Sequence, residues 1–331
     1  MKKLISVLLT MVLCLSVFAG CGTQDDTRTV ATVGDEVITV GELKYAIEVV
    51  KAQSVGQLQG DDVEEFWTTE KDGKDAETYI REKGMDLLMN IAVMAQAAKD
   101  EGIAITSSEV DEYYAQNQES MDHAMETYHV SQDVLKSILR KQMLYNKYGE
   151  RVLAGSPRFN PDEETLKTIF QENFYKAQHI LKMTVNSETG EPLSQEEIDA
   201  KRAEIDALLV QAKNGADFKA LMMEHSEDPG KEQAPDGYVF TEGEMVTEFY
   251  EGTKALAENG ISEVIPSSYG YHVIKRIPLN VETDFQDNIT NVQYLNMQLE
   301  EEKVVEELKA KMSVSQEDSV IQKIPVRDTA E

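Results

Sequence analysis

The chain has five histidines, and two of them stand where an imidazole could do chemistry. His179 lies in a run where Ala177, His179, Leu181 and Met183 alternate with Gln178, Ile180, Lys182 and Thr184, the period of a β-strand. His272 lies in a second strand-like run, residues 270–277. Antiparallel neighbours in one sheet would bring the two rings together across the 93 positions that separate them. A lone imidazole on a strand serves a structural hydrogen bond more often than a reaction. Two on strands able to pair leave both readings open. The other candidates read more plainly. His123 and His129 carry no signal, and His225 reads as a surface residue. Asp25-Asp26 and Asp61-Asp62 lack the ligand spacing of a calcium loop. Met85, Met89, Met94, Met222 and Met223 read as filling for cores or grooves. Neither a cofactor nor a metal is expected.

Positioning the two histidines is the task of a compact α+β unit, residues 174–279, roughly 105 residues long. After its first strand, Ser194 caps a helix to about residue 214 and a shorter helix covers 217–225. A Pro/Gly-rich loop at 228–237 leads to strand-like pieces at 238–241 and 270–277, with a helix near 247–258 between them. Residues 156–173 supply a connecting helix. Residues 30–155 read as mostly helical: two short strands turn at Gly34, a helix runs over 42–58, and 60–75 is an acidic loop. The strongest helix covers 76–101, with Ile80, Leu87, Leu88, Ile91, Val93, Met94 and Ala98 at helical spacing. Thr106-Ser107-Ser108-Glu109 has the form of a capping box. Beyond Pro278 the chain turns helical again, and Val292, Leu295, Leu299, Val305, Leu308 and Met312 make one apolar stripe. Such a stripe needs a partner. The economical one is the N-terminal helical region, with residues 280–313 packed on it and 314–331 as a flexible tail.

The N-terminus carries a different signal. Lys2 and Lys3 precede an apolar run, residues 4–18, of signal-peptide length and short for a bilayer span. It ends in Phe18-Ala19-Gly20-Cys21, which resembles the lipobox of bacterial lipoproteins, although Phe18 stands where leucine is usual. The resemblance implies cleavage after residue 20, lipidation of Cys21 and a spacer over 21–29. Removing Lys2 and Lys3 takes the formal charge from −29 to −31. So acidic a chain excludes nucleic-acid phosphates as partners. Cys14 leaves with the signal segment and Cys21 is acylated, so the mature chain would hold no thiol for a disulfide or a metal.

Several further segments, in order, resemble the parvulin-type peptidyl-prolyl isomerases. Lys176-Ala177-Gln178-His179-Ile180-Leu181 is similar to their opening strand, and Ala216-Asp217-Phe218 with His225-Ser226-Glu227-Asp228 to their second helix and its loop. The run from Asp236 through Phe240 and Gly243 to Met245, with Phe249, resembles their glycine turn and pocket. Gly260-Ile261-Ser262 and Tyr269-Gly270-Tyr271-His272-Val273-Ile274 resemble the close of the domain. The resemblance implies catalytic roles for His179, Asp228 and His272, and a proline pocket from Phe240, Met245, Phe249 and Ser267. Two positions depart from the family: Gly237 replaces an apolar residue, and Tyr238 replaces a glycine. The loop after Leu181 also lacks the arginine cluster of phosphate-reading members, which implies no phosphoserine-proline preference.

The full layout resembles PrsA-type foldase lipoproteins, with a SurA-like helical region formed by the N- and C-terminal segments and the parvulin domain inserted in it. That implies an enzyme isomerising Xaa-Pro bonds in unfolded or partly folded exported proteins. It would be lipid-anchored on the outer face of the bacterial cell membrane, with a homodimer left open. The other function compatible with these residues is a holdase whose parvulin unit binds without catalysing. A solute-binding lipoprotein would need two α/β lobes, of which there is no sign.

Overall fold

The computed structural model describes residues 26–56, 58, 61–187 and 189–327. The signal segment, Cys21, the first part of its spacer and Glu188 lie outside the described residues. The chain forms two compact units. One combines residues up to Asn160 with those from Leu299 onward, and the other is Pro161–Gln298. The α+β unit is thus an insertion in a discontinuous helical one.

In the first unit, β1 (Thr29–Val33) and β2 (Glu36–Thr39) form an antiparallel hairpin. Thr39 caps α1 (Val40–Val55), and Glu42 returns a bond to the Thr39 N–H, which satisfies donors that a helix start leaves open. The acidic stretch expected as a loop instead contains α2 (Asp61–Thr68), whose Phe66 and Trp67 pack against the main core. That packing outweighs the loop-like composition. In α3 (Ala76–Asp100), Ile80, Leu88, Met89, Ala92, Val93 and Met94 are all buried, so the methionines here are core. Thr106 and Glu109 form the expected capping box of α4 (Ser107–Gln116). Then come α5 (Gln118–Tyr128), α6 (Gln132–Tyr148) and a π-helical turn over Gly149–Leu153. Buried Glu42 accepts from Ser137 at 2.7 Å and from Lys141 at 2.5 Å, tying α1 to α6.

The second unit begins with α7 (Glu163–Asn173), capped by Asp162, and continues into β3 (Tyr175–Met183). α8 (Gln195–Lys213), α9 (Phe218–His225), β4 (Tyr238–Phe240), α10 (Thr247–Lys254), β5 (Ile265–Ser267) and β6 (Gly270–Ile277) follow. The sheet order is β4-β3-β6-β5, with every neighbour antiparallel. Alternation along β3 and β6 gives the sheet two different faces. Ile180 and Val273 pack with Ile205, Leu208, Phe218 and Met222 of α8 and α9. Ala177 and Ile274 face Phe240, Phe249 and Tyr250. α11 (Thr283–Lys309) then starts against α7: Phe285 and Val292 join Leu166, Phe170 and Phe174 in one cluster.

The stripe read as a single packing face is therefore divided. Val292 and Leu295 belong to the cluster with α7, whereas Val305, Leu308 and Met312 pack in the first unit's core. The segment after Ser313 is a second correction. Rather than a loose tail, it forms β7 (Val314–Gln316), paired antiparallel with β1, and α12 (Asp318–Ile321). Val320, Ile321, Ile324 and Val326 are buried in the first unit's core. Among the described residues no helix is long and apolar enough to cross a membrane.

Candidate active site

The register of the central strands decides where the histidines meet. His179 pairs with Ile274, and His272 with Leu181, so the two imidazoles are diagonal neighbours on the face that carries Phe249. Their Nδ1 atoms are 3.2 Å apart, and the rings stack at 17° with centroids separated by 5.4 Å. Both residues are buried.

Asp228 comes to them from the loop after α9. That loop is stapled to β3: Ser226 Oγ accepts from the Leu181 N–H at 3.0 Å, the Glu227 N–H donates to the Leu181 carbonyl at 2.9 Å, and a Glu227 carboxylate oxygen accepts from the Met183 N–H at 2.8 Å. Lys201 and Lys182 pair with Glu227. Held this way, Asp228 Oδ2 lies 3.1 Å from His179 Nε2. The same oxygen accepts from the Tyr238 hydroxyl at 2.7 Å, and Oδ1 accepts from the Gly230 N–H at 3.1 Å. At the opposite end, Ser267 Oγ lies 2.7 Å from His272 Nε2.

Asp228 fixes one end of this network. An ionised carboxylate only accepts, so His179 Nε2 carries a proton. Where His179 Nδ1 presents its lone pair, His272 donates from Nδ1 and its Nε2 accepts from the Ser267 hydroxyl. Both imidazoles are neutral in this arrangement. The electrostatics agree. Burial, with the neighbouring His179, pushes the His272 imidazole down to about 4, against a smaller opposing pull from Asp228. Burial alone would raise Asp228, but hydrogen bonds from His179, Tyr238 and the Gly230 N–H outweigh it and hold the carboxyl at about 2. Burial and the Asp228 carboxylate push the Tyr238 phenol well above its ordinary value.

An apolar wall adjoins the network. The Phe249 ring meets His179 edge-on at 5.0 Å and His272 at 5.6 Å, and Phe240 lies 5.5 Å from Phe249. Both phenylalanines are buried, while Met245, packed on the same cluster, is partly exposed. The fold thus brings together all seven residues singled out in this domain: His179, Asp228, Phe240, Met245, Phe249, Ser267 and His272. Tyr238, Ser226 and Gly230 complete the site and had no assigned part. Tyr238 was visible in the sequence as the replacement of a glycine, but its reach to Asp228 depends on folding the loop. Gly237 adopts φ +98°, and a side chain there would meet the Ala177 carbonyl at 2.7 Å. Glycine is therefore needed one position before the tyrosine.

A sheet with paired histidines, a carboxylate and an adjoining apolar wall defines a class. Residues 165–277 match the model of the PPIC-type peptidyl-prolyl isomerase domain, and residues 1–150 that of the SurA-like N-terminal domain. The chain therefore carries a PPIC-type, parvulin peptidyl-prolyl isomerase domain together with a SurA-like N-terminal domain. It is 26% identical over 291 residues to the foldase protein PrsA of Caldanaerobacter subterraneus, covering 85% of each chain. Identity to the chaperone SurA of Legionella pneumophila is 25% over 276 residues, covering 79% of this chain and 60% of that one. A crystal structure of the peptidylprolyl isomerase PrsA from Bacillus cereus aligns at 20% identity and a TM-score of 0.31, covering 70% of this chain and 82% of that one.

Proposed function

We propose that the protein is a foldase that catalyses cis–trans isomerisation of Xaa-Pro bonds in exported, unfolded chains. The observation that carries this reading is the continuous hydrogen-bond chain from Ser267 through His272 and His179 to Asp228, set beside Phe240, Phe249 and Met245. Isomerisation breaks no covalent bond, so it needs neither a nucleophile nor a metal. Its barrier of about 20 kcal/mol is the loss of amide resonance on twisting. In the planar amide the carbonyl oxygen carries part of the nitrogen's electron density, and in the twisted state it carries less. A carboxylate fixed near that oxygen disfavours the planar form more than the twisted one. Interactions that discriminate in this way lower the barrier. Met245, Phe249 and Phe240 are the residues that would grip the proline ring. Asp228 and the two histidines set the field, and the imidazoles hold the carboxylate's orientation.

Asp228→Ala in the whole protein should lower turnover of a short Xaa-Pro peptide with the fold retained by circular dichroism. Unchanged turnover would remove Asp228 from the mechanism. The competing holdase reading draws on Tyr238, whose phenol already occupies an Asp228 oxygen. Suppressed client aggregation by a wild-type protein that gives no acceleration of the peptide would favour it. Phosphoserine-proline is not the expected substrate, since Lys182 is paired with Glu204 at 2.8 Å and with Glu227 at 3.5 Å. Chaperone binding of clients is assigned to the SurA-like region on the strength of its similarity to foldases and chaperones.

Cys21 is proposed as the lipid anchor, which would hold the catalyst where exported chains emerge. One acyl chain binds a membrane marginally, and two or three hold it firmly. Cys21→Ser should keep isomerase activity and lose membrane retention. If that variant fractionates with membranes as the wild type does, the anchor assignment is wrong.

A further inference from the structure

The Asp228 end of the network contains a device that the isomerase reading does not require. We propose that Tyr238 is a positioning residue for Asp228, that Gly230 supplies the space its hydroxyl occupies, and that the pair fixes the direction of the histidine hydrogen-bond chain. This rests on the isomerase reading of the same site.

The geometry is specific to the pair. The Tyr238 hydroxyl donates to Asp228 Oδ2 at 2.7 Å, and its ring meets His179 edge-on with centroids 5.9 Å apart. A Cβ built on Gly230 would lie deep inside the van der Waals shell of that hydroxyl oxygen. Gly230 does not adopt the left-handed backbone region, so the turn does not need glycine for its conformation. The missing side chain serves the tyrosine. Gly230 also donates its N–H to Asp228 Oδ1 at 3.1 Å, so each carboxylate oxygen has a donor apart from His179.

With both imidazoles neutral, reversing the chain would require a proton on Asp228 Oδ2, donated to His179, with every later donor and acceptor exchanged. Tyr238 opposes this because its own O–H already points at Oδ2. A carboxylate held by three donors pays more to accept a proton than one held by two. The ionisable groups around Asp228 are His179 on β3, Tyr238 on β4 and His272 on β6, with Glu227 and Lys231 on its own loop. Glu227 is occupied by Lys182 and Lys201, Lys231 donates to the Ser226 carbonyl, and the nearby Asp236 is paired with Lys219. Tyr238 is thus the group whose removal changes the protonation of Asp228 with least disturbance elsewhere.

The test uses the full chain as wild type, Tyr238→Phe, Gly230→Ala and the double variant. Turnover of an Xaa-Pro peptide is followed across acidic to neutral pH, and the ring ¹⁵N shifts of His179 and His272 are recorded. Tyr238→Phe should lower kcat several-fold with little change in KM, and should move the acid limb of the profile to higher pH. It should also make the histidine ring shifts sensitive to pH in the range where Asp228 takes up its proton. Gly230→Ala should reproduce these effects by expelling the hydroxyl, and the double variant should be no worse than either single one. Tyr238→Phe that leaves kcat, acid limb and ring shifts as in wild type overturns the proposal. Because phenylalanine keeps the ring, that variant decides the matter even if Gly230→Ala does not fold. An inactive wild type would end the isomerase reading instead, and the ring shifts would still judge Tyr238.

Discussion

His272 shows how far a strand position can bend an ordinary imidazole. It lies beneath Phe249 and beside a second imidazole, and burial with that neighbour lowers its proton affinity to about 4. The consequence for stability has a definite sign. Below an ordinary histidine value near ~6.5 the unfolded chain takes up a proton that the folded chain refuses, so stability falls as pH drops from there towards 4. Asp228 adds a second loss with the same sign, from an ordinary carboxylate value near ~3.9 down towards 2. Each shift is worth on the order of a few kcal/mol. Thermal melts of the whole protein should show the isomerase domain weakening between about pH 6.5 and 4, and His272→Gln should flatten that window. A melt independent of pH over the same interval in the wild type would contradict the assignment of a buried neutral ring. At this scale much could be read beforehand. Period-two alternation placed His179 on a strand, and the resemblance of the surrounding motifs to the parvulins pointed to Asp228. What stayed hidden were Ser226 and Tyr238, whose roles are contacts across 45 and 10 positions that only the folded loop creates.

Among the elements, the helices at the edges of the isomerase domain depend most on partners distant in sequence. Helical periodicity marked α7 and α11 as helices, but periodicity does not say which neighbour covers an apolar stripe. Phe170, Phe174, Phe285 and Val292 answer that, since they bury one another. Lys176 on β3 also pairs with Asp284 at the start of α11, at 2.8 Å. A fragment cut to residues 174–279 keeps Phe174 but loses Leu166, Phe170, Phe285 and Val292. Exposing one such side chain costs about 1.5–3 kcal/mol, a sizeable share of a small domain's margin. A fragment of residues 161–298 should therefore be markedly more resistant to urea than one of 174–279. Equal midpoints for the two fragments would show that α7 and α11 contribute little to the domain.

For the whole molecule, the decisive feature is that the chain's end completes a unit begun at its start. The capping boxes of α1 and α4 and the apolar spacing of α3 are local signals, and they were legible because each lies within a few residues. The partnership of β7 with β1 is not local: Thr32 and Ser315, joined by a 2.8 Å hydrogen bond, are 283 positions apart. Between the apolar residues after Ser313 lie Ser315, Gln316, Glu317, Asp318, Gln322 and Lys323, so neither a helical nor an alternating pattern emerges. Their burial depends on a surface built by β1 and α3. Once that surface exists, Val320, Ile321, Ile324 and Val326 fill it, while Arg81 and Lys51 bond the carbonyls of Ile324 and Val326. Four buried aliphatic side chains are worth roughly 6–12 kcal/mol, which is comparable to the whole stability of a domain. Ending the chain after Ser313 should therefore unfold or severely weaken the first unit. The isomerase domain, whose core shares none of these residues, should keep its activity on a short Xaa-Pro peptide. Loss of helical signal on truncation, with peptide turnover preserved, is the expected result. A truncated protein that melts at the wild-type temperature would mean that the C-terminal segment is the loose tail its sequence suggests.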